Sequence, residues 1–163
     1  MEQLKVLSYA VRPPVLAKYL GQLAVAMSVL VAVPLLVSVY FAEYFLTVRY
    51  AVLAVGLMAV GLPLSRLRVP AVIQGNEALV ITGLAFVLSP LLMAYPFTAF
   101  GMSYVDAYFE AVSGVTTTGL STLAAMQDTP HTFLFSRAWM QWYGGLGIVV
   151  HVPLLRRSEF QVF

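Results

Sequence analysis

The stretch AVSGVTTTGLS, residues 111–121, decides the fold because it is polar and lies between long apolar segments. Ser103, with Asp106 three residues later, is typical of a capping box and predicts a short helix over residues 104–113. Gly114 is expected to end this helix as a left-handed C-terminal cap. The polar residues after it are predicted to form an extended strand. This unit is too polar to cross a membrane, so it is expected to enter and return on one side.

Four apolar segments surround the polar unit and are predicted to span a membrane. The first has no charged residue over residues 19–42 and, at about 1.5 Å per residue, exceeds a hydrocarbon core of roughly 30 Å. Pro34 is expected to kink this first span. The other spans are predicted at residues 44–64, 78–95 and about 130–155, the third being limited by prolines and the last starting at the cap Asp128-Thr129-Pro130.

The composition agrees with a membrane protein. Of the 163 residues 61% are hydrophobic and only 10% are charged, and the mean hydropathy is +0.88. A soluble domain usually carries about 25% charged residues, so these charges are too few to cover a water-exposed surface. The chain has no cysteine, which excludes disulfides, thiolate metal sites and cysteine nucleophiles. A net charge of +2 gives no indication of nucleic acid as a partner.

The basic residues predict the orientation. With four spans, most of the nine lysines and arginines fall on one side, namely Lys5, Arg12, Lys18, Arg66, Arg68, Arg156 and Arg157. The positive-inside rule then places both termini in the cytoplasm. On the opposite side, Glu43 is close enough in sequence to pair with Arg49.

The polar unit has the chemistry of a cation site. A helix that ends within the membrane leaves its last carbonyl groups unpaired, and their partial negative charge favours a cation. An extended strand can turn successive carbonyls toward one axis, as in carbonyl-lined filters. Gly119 would allow a backbone angle that its β-branched neighbours disfavour. No carboxylate cluster lies in the strand, which argues against a divalent ion. From the spacing alone, an ordinary turn between spans explains residues 116–122 equally well.

Two stretches resemble a known family. Residues 111–121 closely resemble the pore segment of the Trk/Ktr/HKT superfamily of cation transporters. RAWMQWYGGLGIVV, residues 137–150, resembles the start of the following helix in the Trk-type membrane subunit. The resemblance implies a pore of four linked span–loop–span repeats, each with one filter glycine, which Gly119 matches. It implies potassium as the transported ion, no cofactor and no other metal in this chain, and ion ligands from the backbone carbonyls of Thr116, Thr117, Thr118 and Gly119.

The resemblance also implies an organisation and partners. An all-α membrane fold is expected, with a two-helix hairpin at 1–69 and one span–pore loop–span repeat with a re-entrant half-helix at 70–163. After residue 150 the family continues an apolar helix, whereas this chain has Pro153 and two arginines, so a truncated product is expected. The expected partners are the lipid of a prokaryotic plasma membrane, the remaining pore repeats or other copies, a second subunit of a homodimer, and a cytoplasmic nucleotide-binding regulatory subunit.

Several further residues are candidates for supporting the loop. Glu110 is expected to hold the loop by hydrogen bonds or to concentrate cations at the mouth. Arg137 is expected to pair with Asp106, Glu110 or Asp128, to repel cations, or to lie at the membrane interface. Asp106 is better explained as a helix-start residue than as an ion ligand. Close helix packing is favoured over a gating hinge for Gly144, Gly145 and Gly147.

Two other functions compete with transport. A non-conducting membrane interaction protein needs only the four spans. An intramembrane serine protease would use Ser113 and His151, but Ala111 replaces the first glycine of a Gly-x-Ser-Gly motif. His151 is also predicted near the opposite membrane face from Ser113. A non-enzymatic function is therefore predicted.

Overall fold

The computed structural model describes residues 11–70, 73–123 and 129–160, with side chains described up to residue 147. These residues form five α-helices and contain no strand, so the predicted all-α fold is confirmed. A single 3₁₀ turn, Thr98–Phe100, follows the third helix. The helices are α1 Pro13–Tyr40, α2 Tyr44–Ser65, α3 Gly75–Phe97, α4 Tyr104–Val115 and α5 His131–Phe160.

Three of the helices in the described part of the chain are long and apolar enough to cross a membrane. They are α1, α2, and α3 together with its 3₁₀ extension. They coincide with the first three predicted spans, and the chain is a multi-pass membrane protein. The fourth predicted crossing lies in α5 and stays a prediction, because the side chains after residue 147 are outside the described residues.

Prolines occupy the first turn of α1, whereas Pro34, Pro96 and Pro153 lie inside helices that continue past them. Pro13 and Pro14 occupy the first turn of α1, where a missing amide hydrogen costs no helical hydrogen bond. α1 continues through Pro34, and α3 continues through Pro96 to its last residue. The third helix therefore begins three residues before the predicted span and ends two residues after it. The backbone of α5 also remains helical past Pro153.

α1 and α2 form an antiparallel hairpin whose backbones meet at glycines. A Cβ atom placed on Gly21 would lie 2.5 Å from the Cβ of Leu64 and 2.6 Å from the amide nitrogen of Ser65. A Cβ atom on Gly61 would lie 2.9 Å from the carbonyl oxygen of Gly21. Small residues at such a crossing allow the close backbone approach by which membrane helices associate.

An ion pair joins the start of α1 to the start of α3. The carboxylate of Glu77 is fully buried and accepts hydrogen bonds from Arg12 Nε at 2.8 Å and Arg12 Nη2 at 2.9 Å. It also accepts from the backbone amide of Gln74 at 3.0 Å, which completes a capping box at the start of α3. The hairpin is thereby attached to α3, the helix that precedes the polar unit.

The carboxylate of Glu43, in the turn between α1 and α2, caps the start of α5. The backbone amides of His131 and Thr132 donate to its two oxygens at 2.8 Å and 3.0 Å. A carboxylate is favourable at a helix N-terminus, where the amide groups are otherwise unpaired. The predicted side-chain cap Asp128 lies outside the described residues.

Arg49 does not pair with Glu43, so that prediction is wrong. Its guanidinium donates instead to the carbonyl oxygen of Tyr95 at 3.1 Å and to the hydroxyl of Thr98. The same guanidinium lies over the ring of Tyr95, 5.2 Å from its centroid. Arg49 thus holds α2 against the end of α3.

The buried core is formed by side chains from all five helices, with its centre between α3, α4 and α5. The rings of Phe97 and Phe133 have centroids 4.5 Å apart and are fully buried. The hydroxyl of Tyr50 is 2.7 Å from that of Ser136, and both side chains are buried. Trp139 Nε1 donates to a carbonyl oxygen of α1 at 2.9 Å. These contacts fix α5, against which the polar loop packs.

Candidate ion-binding site

The start of α4 has the predicted Ser103 cap, but Asp106 binds the hydroxyl of Ser103 and not its backbone amide, so the contact is only half of a capping box. The hydroxyl of Ser103 accepts a hydrogen bond from the backbone amide of Asp106 at 3.1 Å and donates to its carboxylate at 2.7 Å. The hydroxyl of Tyr104 donates to the carbonyl oxygen of Leu91 in α3 at 2.8 Å. Asp106 is thus a helix-start residue at the opposite end of α4 from the polar loop.

The end of α4 differs from the prediction. Gly114 does not cap the helix, which continues to Val115, and the left-handed residue is Thr117 with φ +59°. The amide of Thr117 donates to the carbonyl of Gly114, and the amide of Thr118 donates to that of Ser113, both at 3.0 Å. These two hydrogen bonds form a Schellman motif, a common helix ending that usually places glycine at the left-handed position.

Gly114 has a different reason to be glycine. It lies inside α4 and faces α5, where a Cβ atom would come within 3.0 Å of Cε and 3.1 Å of Cβ of Met140. Its missing side chain therefore permits close helix packing. The sequence could not distinguish this from a cap, because the packing partner is 26 residues away in the chain.

Thr117 stores backbone strain, since a β-branched residue in the left-handed region costs about 1–2 kcal/mol. We expect Thr117→Gly to raise the free energy of unfolding by about 0.5–1 kcal/mol, because glycine adopts this angle freely but is more flexible when unfolded. Thermal unfolding in detergent measures the effect. Thr118→Gly is the matched control and is expected to lower stability, since Thr118 has no left-handed angle. A destabilised Thr117→Gly variant would contradict the assignment of strain.

The loop after α4 is not the predicted extended strand. Gly119 has φ +79°, an angle that β-branched residues disfavour, as expected of this glycine from the sequence. Together with Thr117 it gives two left-handed positions within three residues, and residues 118–121 form no strand. The Schellman motif turns the chain back over the helix end, which is why the segment is not extended.

The four predicted ligand carbonyls are unpaired in the described structure. Residues 116–119 are exposed, and their carbonyl oxygens accept no hydrogen bond from any described residue. The next carbonyl, that of Leu120, accepts from Ser113 Oγ at 2.6 Å and from Arg137 Nη2 at 3.0 Å. Backbone carbonyls at membrane depth need water, further protein or a cation as partners. The loop therefore presents a short run of available oxygen ligands.

The threonine hydroxyls fasten this loop to α4. The hydroxyl of Thr116 donates to the carbonyl oxygen of Val112 at 2.8 Å and is 2.8 Å from the hydroxyl of Thr118. A hydroxyl has a single proton, so Thr118 is the donor in the second hydrogen bond. The hydroxyls hold the fold of the loop and leave the carbonyls available.

Glu110 holds the far side of the loop from within α4. Its side chain is fully buried, and its Oε1 accepts from Ser121 Oγ at 2.7 Å, from the amide of Thr122 at 2.6 Å and from the hydroxyl of Thr122 at 3.0 Å. Its Oε2 lies 2.8 Å from Nε of Arg137. That contact is an ion pair without the alignment of a hydrogen bond. Of the proposed roles for Glu110, the contacts favour holding the loop.

Arg137 connects α5 to the same loop. It is 7% exposed, pairs with Glu110 and donates to the carbonyl of Leu120. Of its three predicted partners, Glu110 is the one it contacts, whereas Asp128 lies outside the described residues. We call Glu110, Ser113 and Arg137 the loop clamp, because all three bind the segment that follows the unpaired carbonyls.

Ser113, which the sequence suggests only as a nucleophile, belongs to the loop clamp. Its hydroxyl proton is donated to the carbonyl of Leu120. The side chain of His151 lies outside the described residues, and the described His131 is at the far end of α5, stacked on Phe41. No cluster of three metal-ligating side chains occurs among the residues that the structure describes.

Known proteins resemble this chain over the region just described. The sequence profile of a family described as cation transport protein, TrkH, matches residues 85–155. The Trk system potassium uptake protein TrkH of Escherichia coli (strain K12) is 41% identical over 66 residues, which is 38% of this chain and 14% of the relative.

Two further relatives match over a longer stretch. The Trk system potassium uptake protein TrkI of Halomonas elongata is 31% identical over 153 residues, 90% of this chain and 31% of the relative. An uncharacterized cation transporter of Methanocaldococcus jannaschii is 30% identical over 133 residues, 80% of this chain and 28% of the relative. The chain thus spans between 14% and 31% of the length of these curated relatives.

The relatives are transport proteins, which leaves the serine protease alternative without support. The matched region contains α4, the polar loop and the loop clamp. The family description and the names of the relatives agree with the cation chemistry predicted from the loop. The chain belongs to the Trk family of cation transport proteins.

Proposed function

We propose that this chain forms part of a potassium-uptake protein and that the carbonyl oxygens of Thr116, Thr117, Thr118 and Gly119 bind the ion. The observation that carries the proposal is the run of exposed residues directly after a helix end whose carbonyls accept no hydrogen bond from any described residue. Carbonyl oxygens can replace the hydration shell of a monovalent cation when several loops surround it. One loop supplies only part of such a shell, so other pore repeats or other copies complete it.

The electrostatics of the loop support a monovalent ion. The C-terminal end of α4 carries partial negative charge and lies at the first of these carbonyls. The full charge of Glu110 is compensated by Arg137, so the clamp adds no net charge. Neutral oxygens of this kind suit potassium better than a divalent cation, which prefers carboxylate ligands.

We further propose the plasma membrane as the location, with both termini in the cytoplasm. Arg12 and Lys18 lie near the start of α1, and Arg66 and Arg68 follow the end of α2, so the hairpin brings four basic residues to one end. This concentration supports the orientation by the positive-inside rule. The family resemblance is the support for a division near residue 69 and for a dimer with a nucleotide-binding regulatory subunit.

The test of the ion site replaces Gly119 by serine in a pore-forming assembly that contains this repeat. Its φ of +79° disfavours a side chain, so the neighbouring carbonyls must move. We expect the permeability ratio of potassium to sodium, measured from reversal potentials, to fall at least about tenfold, or about 1.4 kcal/mol.

Gly101→Ser is the matched control. Gly101 has φ +80° and open space around it, and it lies before α4 in a pocket that it shares with Thr122 and Leu123 but with none of residues 116–119. Its replacement is expected to leave the permeability ratio unchanged. An unchanged ratio in Gly119→Ser would reject the ion site. An unmodified assembly that carries no cations at all would favour the non-conducting interaction protein.

A further inference from the structure

Gly144 of α5 lies against the backbone at the end of α4, directly before the ion-binding loop. A Cβ atom placed on Gly144 would collide with the carbonyl oxygen of Val115 and lie 2.8 Å from its carbonyl carbon and 3.1 Å from its Cα. Backbone atoms cannot turn aside as the end of a flexible side chain can. A side chain at Gly144 therefore requires either α5 or the end of α4 to move.

The contact lies immediately before the proposed ligands. Val115 is the last residue of α4, is 3% exposed, and is followed by Thr116, whose carbonyl is the first of the unpaired four. α5 is held on its other sides, by Trp139 to α1 and by Ser136 to Tyr50 of α2. The end of α4 is therefore expected to yield, and the carbonyls after it move with it.

The neighbouring glycines differ from Gly144. A Cβ atom on Gly145 would make an ordinary contact of 3.6 Å with the methyl group of Thr117, and one on Gly147 would have no described atom within 4 Å. The observed helix packing therefore requires a glycine at position 144, whereas at position 147 the described residues leave room for a side chain. The space available for a Cβ atom thus distinguishes Gly144 from Gly145 and Gly147, which the sequence alone does not distinguish.

Building on the proposed function, we propose that Gly144 is a positioning residue for ion selectivity. Because Gly144 has no side chain, the end of α4 and the first ligand carbonyls can lie close to α5. This distance determines where the carbonyl oxygens stand and therefore the size of the oxygen shell around a monovalent cation. Selectivity in carbonyl-lined sites depends on the distance and number of the oxygens. Gly144 acts through Val115 and does not touch the ion.

The test compares Gly144→Ala with Gly147→Ala in the assembly used for Gly119. Both exchange a glycine for alanine in the same helix, so their effects on helix propensity are matched. We expect Gly144→Ala to lower the potassium-to-sodium permeability ratio at least fivefold at an unchanged amount of protein in the membrane. Gly147→Ala is expected to keep the ratio of the unmodified assembly.

The outcomes separate this inference from the proposed function. A changed ratio in Gly119→Ser together with an unchanged ratio in Gly144→Ala overturns the role of Gly144 alone, whereas unchanged ratios in both reject the ion site. If the Gly144→Ala protein is absent from the membrane, Gly114→Ala replaces it as the test. An added methyl group at Gly114 also lies between the end of α4 and α5, but it meets the side chain of Met140, which can move aside more easily than backbone. A ratio lowered by Gly114→Ala supports positioning of the loop by α5, and an unchanged ratio overturns it.

Discussion

Replacing Glu110 by glutamine is expected to lower the free energy of unfolding by about 3–5 kcal/mol. The exchange leaves the guanidinium of Arg137, which is 7% exposed, buried without an opposite charge, and removing one partner of a buried pair has this cost. Glutamine has nearly the same shape as glutamate and can still accept a hydrogen bond from Ser121, so the loss of charge is isolated. Thermal unfolding of the protein purified in detergent measures the change.

Asp106→Asn is the matched control for this prediction. Asp106 also lies in α4, but its carboxylate contacts Ser103 in the first turn and makes no ion pair with Arg137. Its loss is expected to cost only about 0.5–1 kcal/mol, the usual contribution of an acidic residue at a helix start. Combining Glu110→Gln with Arg137→Met is expected to restore most of the lost stability, because the unpaired charge is removed. A double variant no more stable than the single one would show that another contact of Glu110 is responsible.

The second large effect is expected from Gly21→Val in the α1–α2 hairpin. A Cβ atom at this position would overlap Leu64 and the amide nitrogen of Ser65, so the helices must separate along their whole contact. Overpacking of this kind costs about 1–3 kcal/mol, and a collision with backbone atoms is expected at the upper end. The separation is also expected to move the turn that carries Glu43, which caps the start of α5. Thermal unfolding should therefore show a lower midpoint, and the amides at the start of α5 should exchange their hydrogens faster.

Gly56→Val controls for the β-branched side chain itself. Gly56 lies in α2, and a Cβ atom placed on it would have no described atom within 4 Å, so valine there collides with no described part of the chain. We expect no loss of stability from it. Equal effects of the two exchanges would mean that helix propensity, and not the crossing, determines the stability of the hairpin.

Local sequence patterns predicted the start of α4 well and its end poorly. The helix start needs only Ser103 and Asp106, three residues apart, and is therefore visible in the sequence. At the helix end, Gly114 packs against Met140 of α5 inside the helix, and the left-handed position is taken by Thr117. No local rule would choose threonine for a left-handed position, since glycine is usual there.

The long-range contacts of charged residues were the least predictable part of the fold. The sequence offered Glu110 as one of three acidic partners for Arg137, because all three lie in or beside the polar segment before it. Glu43 contacts amides 88 and 89 residues away, and backbone amides have no signature in a sequence. Arg49 likewise binds a carbonyl oxygen of α3. Such partners become visible only once the helices are placed in space.

The cap that Glu43 provides for α5 has a consequence for modularity. A pore repeat separated from the first two helices would lose the partners of the amides of His131 and Thr132 and of the indole N–H of Trp139. The N-terminal hairpin is therefore not a detachable accessory. It is already complete when α5 leaves the ribosome, so it can serve as the template on which the last helix is assembled.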